Sequence, residues 1–163
     1  MKVLVCAASK HGSTKEIAEA IGRRLTEAGL TVDVNDVGEV SDLAQYDAVI
    51  LGSAVYMGNW LESARQFATE HGGDLGTRPT WLFSSGPTGD PPRPSADKAV
   101  SIDPIIAAVT PRDHRLFAGK LDRNQLSFPE RALVLAVRAA EGDYRDWEEI
   151  ARWAAEIAAI LSG

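Results

Sequence analysis

Cysteine is almost absent from this chain, and so are long apolar runs and an excess of positive charge. Cys6 is the single cysteine among 163 residues, which excludes an internal disulfide. No apolar run approaches the ~20 residues that a membrane-spanning helix needs. The formal net charge of −6 disfavours nucleic acids and anionic membrane surfaces as general partners. Together with a start too short for a signal peptide, these absences predict a cytoplasmic protein with at most peripheral membrane contact.

Several catalytic and nucleotide-binding motifs are missing as well. The chain has no Gly-x-x-x-x-Gly-Lys-Ser/Thr loop and no Gly-x-Gly-x-x-Gly after its first apolar run, which disfavours nucleoside triphosphates and dinucleotides. No Ser-His-Asp, Cys-His or metal-ligand spacing is visible, so the sequence nominates no catalytic side chain and no metal ligand. Cys6 lies inside the first apolar run, and we expect it to be a small core residue rather than a nucleophile.

A turn rich in hydroxyls joins the first apolar run to the first helical pattern. It consists of Ser9, Lys10, His11, Gly12, Ser13 and Thr14. A strand-to-helix turn of this kind presents backbone N–H groups to an anion, and the helix N-terminus adds partial positive charge. The turn therefore predicts a phosphate cradle in which the hydroxyls donate to phosphate oxygens. The alternative is an ordinary turn in which Ser13 or Thr14 caps the helix. We expect Lys10 to be solvated and His11 to shape the loop.

Apolar runs alternate with helical patterns along the whole chain, as in a parallel sheet with helices on both faces. Strands are predicted at Lys2–Ala8, Leu30–Asn35, Asp47–Gly52, Pro79–Ser84 and Arg115–Gly119. Helices are predicted at Thr14–Ala28, Trp60–Glu70, Ala96–Val109 and Asp146–Leu161, with at most a short one at Asp42–Gln45. With a phosphate loop after the first strand, the prediction is one α/β domain over residues 1–163. It is a three-layer sandwich whose five-stranded parallel sheet has the order 2-1-3-4-5.

In such a sheet the loops after strands 3 and 4 flank the phosphate loop. The candidate ligand-binding residues in these two loops are Ala54, Val55, Tyr56, Met57, Gly58, Asn59, Trp60, Ser85, Gly86, Pro87, Thr88 and Gly89. Aromatic rings and backbone groups in this arrangement suit a planar aromatic ligand. Tyr56 and Trp60 are the stacking candidates, and Gly58 is the expected hinge. Trp60 has a second interpretation, in which it starts the next helix and packs on the sheet.

The phosphate loop resembles the FMN-phosphate loop of flavodoxins. Three further segments, Gly52–Gly58, Phe117–Leu121 and Asp143–Trp147 with its following helix, resemble the flavodoxin-like menaquinone-dependent protoporphyrinogen oxidase family. The resemblance implies a flavodoxin-like fold, FMN held by the three loops, and oxidation of protoporphyrinogen IX with a membrane quinone as acceptor. It also marks residues 122–141 as an insertion after strand 5. That insertion is interpreted either as a scaffold helix over the sheet edge or as a substrate or quinone lid.

The chain departs from that family in charge and at one loop position. It is acidic, its insertion is only mildly basic, and Met57 stands where the family's tyrosine is expected. An acidic surface suits docking on basic patches of redox proteins. The alternative function is therefore a soluble flavodoxin-type electron carrier that acts through protein partners. For Asp143–Trp147 the simpler interpretation is a helix cap followed by a core tryptophan.

Overall fold

The first strand lies in the middle of the sheet because its side chains are apolar on both faces. In β1 (Lys2–Ala8), Val3 and Val5 pack on one face, and Leu4 and Cys6 pack on the other. Each fully buried side chain of the Val or Leu type stabilises the fold by about 1.5–3 kcal/mol relative to exposure. The computed structural model describes residues 1–10, 12–56, 58–86, 102–121, 142–143 and 145–163.

The described residues contain strands and helices in mixed order. The further strands are β2 (Thr31–Asp36), β3 (Ala48–Tyr56), β4 (Asn59–Trp60), β5 (Thr80–Ser85), β6 (His114–Phe117), β7 (Lys120–Leu121) and β8 (Gly142–Asp143). The helices are α1 (Ser13–Glu27), α2 (Glu62–Glu70), α3 (Gly72–Gly76), α4 (Asp103–Val109) and α5 (Trp147–Ser162), and Val37–Glu39 forms a 3-10 turn.

The main sheet has the strand order β2-β1-β3-β5-β6, and all of these neighbours are parallel. This confirms the predicted order of the five main strands. The sequence did not predict β4, which runs antiparallel to the end of β3 with Trp60 opposite Val55. The strands β7 and β8 form a separate antiparallel ribbon, with Leu121 opposite Gly142. The predicted insertion, residues 122–141, lies between these two strands and outside the described residues.

Helices cover both faces of the sheet, which completes the three predicted layers. The helices α1 and α5 cover one face, where Ile21 of α1 and Trp153 of α5 are almost fully buried. The helices α2, α3 and α4 cover the other face through residues such as Phe67, Leu75 and Ile105. The fold class predicted from the alternating pattern is thus the observed one.

Two local predictions, the end of β3 and the region after α2, were wrong because tertiary contacts override the local pattern. At Asp42–Gln45, where at most a short helix was predicted, none forms, and the Asp42 carboxylate holds a turn by accepting a hydrogen bond from the Ala44 N–H (2.9 Å). The strand β3 continues to Tyr56, four residues beyond the predicted end at Gly52. The helix α3 forms where a helix end was predicted, and its Leu75 is fully buried in the core. In the predicted helix Ala96–Val109, residues 96–101 lie outside the described part of the chain.

The C-terminal helix begins at the predicted place, but Trp147 does not lie in its apolar face. The Asp146 carboxylate caps α5 by accepting hydrogen bonds from the N–H groups of Glu148 and Glu149 (both 3.1 Å). Ile150 and Trp153 are buried, whereas Trp147 is 41% exposed, so the interpretation of Trp147 as a core residue is wrong. Outside the core, the Trp147 ring is instead stacked against the Arg145 guanidinium, two residues earlier in the chain and 4.6 Å from the ring centroid.

Candidate functional site

The loops predicted to form the site lie side by side at one edge of the sheet. Ala8 at the end of β1 is in register with Ser53 of β3, and Ala54 is in register with Ser85 of β5. Because the three strands are parallel, the segments that follow them leave the sheet on the same edge. The structure therefore brings the described parts of the three loops together.

The loop after β1 ends in an uncapped helix N-terminus. Gly12 is the residue before α1, with φ of +88°, and α1 has no side-chain cap. The first bond of the helix joins the Glu16 N–H to the Gly12 carbonyl (3.1 Å), so the preceding N–H groups of the first turn have no partner within the helix. The alternative in which Ser13 or Thr14 caps the helix is therefore wrong. The left-handed conformation at Gly12 is one that side chains penalise, which explains glycine at this position.

Thr14 carries the clearest sign of a ligand in this loop. Its side chain is completely buried, and Oγ1 has no hydrogen-bond partner. Leaving such a hydroxyl unsatisfied costs about 1–3 kcal/mol. A phosphate oxygen at the N-terminus of α1 would accept from it and from the first-turn N–H groups. The residues present thus fit a phosphate-bearing cofactor.

The other hydroxyls of the loop differ in their roles. Ser9 Oγ accepts a hydrogen bond from the Gly12 N–H (3.0 Å), so Ser9 stabilises the turn itself. Ser13 is half-buried at the start of α1. Lys10 is exposed, and its ammonium group lies 4.6 Å from the centroid of the Tyr56 ring. The sequence did not predict this contact, which links the loop after β1 to the end of β3. His11 lies outside the described residues.

The segment after β3 turns back on itself as a short hairpin. Tyr56 pairs with Asn59, and the left-handed Gly58 (φ +78°) lies in the turn between them. This conformation explains the glycine at position 58, and its role as a hinge stays a prediction. Tyr56 is half-buried, as are Ala54 and Val55, and Asn59 is exposed, so their side chains remain accessible. Met57 lies outside the described residues.

Trp60 is a core residue. Its side chain is 1% exposed, and its indole N–H donates to Ser84 Oγ (2.8 Å), which is also 2.7 Å from His114 Nε2. A ring packed in this way offers no free face, so the use of Trp60 as a stacking residue for a ligand is not supported. Its second interpretation, packing on the sheet, is the one observed, although Trp60 lies in β4 rather than at the start of a helix. Tyr56 is the aromatic side chain that remains for a ring in the described loops.

Only the start of the loop after β5 is described. Ser85 is buried at the end of the strand, and the Gly86 N–H donates to the Phe117 carbonyl (2.9 Å). Gly119, two residues past β6, packs so closely on Gly86 that a Cβ added to Gly119 would lie 3.0 Å from the Gly86 Cα. Pro87, Thr88 and Gly89 lie outside the described residues.

One residue near this site was not recognised from the sequence. Arg145 precedes α5, and the exposed fraction of its side chain is only 4%. Its Nη1 donates to the Ser13 carbonyl (3.3 Å) and lies 3.4 Å from Glu16 Oε1 in the first turn of α1. The sequence placed it next to a helix cap, but nothing local indicates that it reaches a loop 132 residues away.

The Cys6 thiol lies in the hydrophobic core. Burial raises the pKa of the Cys6 thiol, which agrees with a small core residue. Within the described ranges, no group of three or more His, Cys, Asp or Glu side chains is arranged to hold a metal ion. No helix in the same ranges is long and apolar enough to cross a membrane.

Known proteins resemble this chain over nearly its whole length. The family described as "Flavodoxin domain" matches residues 4–148. The protoporphyrinogen IX dehydrogenase (quinone) of Escherichia coli K12 is 25% identical to it, over 97% of this chain and 95% of that protein. The protein of the same name from Leishmania major is 27% identical, over 98% of this chain and 75% of that protein.

Solved structures resemble the fold of the chain. A flavodoxin from the domain Archaea superimposes with a TM-score of 0.68 at 19% identity, and the match covers 100% of both chains. A flavodoxin from Streptococcus pneumonia gives a TM-score of 0.66 at 18% identity, over 98% of this chain and 99% of that one. At these identities the likeness concerns the fold alone, and it confirms the flavodoxin-like architecture.

Proposed function

This chain belongs to the flavodoxin domain family, and from that premise we propose that it is an FMN-dependent oxidoreductase. The observation that carries the proposal is the N-terminus of α1. There, first-turn N–H groups without a partner in the helix meet the fully buried, unpartnered hydroxyl of Thr14. A monophosphate satisfies these donors, and the loop offers no second glycine turn for a pyrophosphate. FMN is accordingly the proposed flavin, in preference to FAD.

In this proposal the chain itself supplies binding, orientation and electrostatics. FMN, when bound, would supply the electron-transfer chemistry of its ring. Backbone N–H groups and hydroxyls after β1 would hold the phosphate, from Ser9 to Thr14. The ring would lie between the segments after β3 and β5, at the proposed contacts Ala54–Asn59 and Ser85–Gly89. Tyr56, half-buried and held by Lys10, is the proposed aromatic partner of the ring.

A flavin titration tests the cofactor. Apoprotein is mixed with FMN, FAD and riboflavin, and binding is followed by quenching of flavin fluorescence. We expect FMN to bind far more tightly than either of the others, because only FMN presents a single terminal phosphate to the cradle. Equal affinities for FMN and riboflavin would show that the phosphate makes no contribution and would overturn the loop assignment.

We propose a porphyrinogen as the substrate and a quinone as the acceptor, as the names of the relatives suggest. Their similarity extends over 97–98% of this chain, although the identity is only 25–27%. A second candidate, an electron carrier that serves redox proteins, is favoured by the net charge of −6. The cytoplasmic location, peripheral membrane contact and the single-domain organisation over residues 1–163 stay predictions.

Fluorescence of newly formed protoporphyrin separates the two candidates. The FMN-loaded protein is given protoporphyrinogen IX with and without a quinone, and a protein-free sample corrects for autoxidation. Turnover that depends on both protein and quinone is the expected result. If the protein-free control gives the same signal while a reductase still reduces the bound flavin, the carrier function is favoured.

Residues 122–141 can be removed without opening the ribbon at their ends. Leu121 and Gly142 are paired across β7 and β8, so an Asn-Gly turn can join them in place of the segment. We expect this variant to keep its FMN affinity, because the loop after β1 is untouched, and to lose porphyrinogen turnover. Full turnover after the deletion would show that the segment is scaffold rather than a lid.

A further inference from the structure

The Arg145 side chain is buried next to the first turn of α1. It contacts the first turn of α1 and directly precedes the Asp146 cap of α5, so it lies near the N-termini of two helices. The partial charge at a helix N-terminus is positive, which disfavours a cation there. On α1 the Arg145 guanidinium pairs with Glu16, whose side chain is 55% exposed, so solvent screens this pair.

An anion at the N-terminus of α1 would be attracted both by the helix N-terminus and by the nearby Arg145 charge. The carbonyl that Arg145 contacts belongs to Ser13, whose N–H is among the first-turn donors without a partner in the helix. The adjacent Thr14 hydroxyl, fully buried and unpartnered, independently indicates an acceptor at the same place. We propose that Arg145 is a positioning residue that makes the loop after β1 selective for a doubly charged phosphate. This inference rests on the proposed function. Arg145 acts through its charge and through its hydrogen bond to the Ser13 carbonyl. The N–H groups of the first turn of α1 remain the donors to the phosphate.

The surroundings of Arg145 explain how its charge is held in place. Its guanidinium stacks on the exposed Trp147 ring, 4.6 Å from the centroid, while Nη1 faces α1. It is also the second residue after β8, the strand that follows residues 122–141. The chain returning from that segment is therefore attached to the phosphate loop at Arg145. Occupation of the loop by a phosphate would strengthen this attachment.

The test compares a flavin that carries the phosphate with one that lacks it. Apoproteins of the native chain, Arg145→Gln and Arg145→Lys are titrated with FMN and with riboflavin at about 20 mM and about 500 mM salt. We expect Arg145→Gln to weaken FMN binding by about tenfold at low salt and riboflavin binding by less than about twofold, since only FMN carries the charge. The FMN deficit should shrink at high salt. Arg145→Lys, which keeps the charge, should retain most of the FMN affinity.

Two further variants serve as matched controls. Arg24→Gln removes the same charge from the other end of α1, where Arg24 pairs with Glu27 on the surface (3.3 Å), and should leave both affinities unchanged. Glu16→Gln removes the negative neighbour and should tighten FMN binding by a few fold without affecting riboflavin.

The results separate the inference from the proposed function on which it rests. If the native protein fails to bind FMN, the proposed function itself is wrong. If the native protein binds FMN but Arg145→Gln weakens FMN and riboflavin equally, or weakens neither, Arg145 is only a structural link. An Arg145→Lys variant as weak as Arg145→Gln would overturn the role of charge, and so would a Glu16→Gln variant that binds FMN less tightly.

Discussion

The loop after β1 and the hairpin after β3 lie next to each other, but their polar groups are satisfied very differently. In the hairpin, Ser53 Oγ donates to the Ala54 carbonyl (2.8 Å) and accepts from the Leu61 N–H (3.0 Å), and Trp60 donates to Ser84. In the loop after β1, the Thr14 hydroxyl is buried without a partner and the helix is uncapped. The buried polar groups named in the hairpin have their partners within the protein, whereas the loop after β1 contains a buried hydroxyl without one.

This difference teaches how to separate scaffold from site when both are rich in the same residue types. Hydroxyls and glycines occur in both segments, so these residue types alone do not distinguish them. A satisfied buried group stabilises the apoprotein, and its removal costs stability. An unsatisfied buried group destabilises the apoprotein, and its removal costs ligand affinity instead.

The largest effect is expected in the hairpin after β3. Replacing Trp60 by alanine leaves a cavity in the core and removes the hydrogen bond to Ser84. We expect the free energy of unfolding of the apoprotein to fall by about 3–5 kcal/mol, measured by urea denaturation. Trp147→Ala is the matched control, because that ring is 41% exposed and should cost far less. Equal losses in the two variants would contradict the placement of Trp60 in the core.

At Thr14 we expect a smaller effect, which concerns ligand affinity rather than the stability of the apoprotein. Thr14→Val keeps the shape of the side chain but removes the buried hydroxyl. Apoprotein stability should stay the same or rise, while FMN binding should weaken by about 1.5–3 kcal/mol through the loss of a charge-assisted hydrogen bond. Fluorescence titration and urea denaturation of the same samples provide both numbers. A clear loss of apoprotein stability with intact FMN affinity would reverse the assignment.

Ser9→Ala is a second variant for the same two measurements, apoprotein stability and FMN affinity. Because Ser9 Oγ accepts from the Gly12 N–H, this variant should lower apoprotein stability by about 1 kcal/mol, unlike Thr14→Val. The double variant, with both hydroxyls removed, should weaken FMN binding by about 2–4 kcal/mol.

The smallest effect concerns the pH dependence of unfolding, which arises away from both loops. The Tyr46 hydroxyl donates to Asp33 (2.7 Å), which lowers the pKa of that carboxyl. Burial, followed by the hydrogen bond to Asp33, raises the pKa of Tyr46 to about 12. Stability from Asp33 is present above its unfolded pKa of ~3.9 and is lost as the pH falls through its lower folded pKa. Stability from Tyr46 is present below pH ~10 and is lost as the pH rises towards 12.

Tyr46→Phe should flatten both flanks of this profile, as measured by thermal unfolding between pH 2 and pH 12. The acid-side change should be small, since the Asp33 side chain is 40% exposed and solvent screens its interactions. FMN affinity at neutral pH should not change. A change there would mean that the two loops are coupled to this distant pair.

Segments with a clear hydrophobic period could be predicted from the sequence, whereas segments without one could not. The continuous apolar run at Val3–Ala8 and the 3.6-residue pattern from Ile17 to Leu25 predicted β1 and α1 with bounds within one residue. The strand β4 could not be predicted, because two residues carry no period and the pairing of Trp60 with Val55 is a tertiary contact. Of the candidate site, the residues after β1 were nominated from composition at a strand-to-helix junction, whereas for Trp60 the sequence left both stacking on a ligand and packing on the sheet open.

By itself, the amino-acid sequence determined the layered fold, its strand order and the place of the loop after β1. These follow from local periodicity and from the rules by which parallel strands connect. Only the tertiary structure decided which side chains of the loops remain unsatisfied. It placed the Trp60 side chain in the core and left the Thr14 hydroxyl without a partner. It also brought Arg145 to α1 from the far end of the chain. The physical reason is that hydrogen-bond satisfaction and burial depend on groups distant in sequence, and no local pattern encodes them.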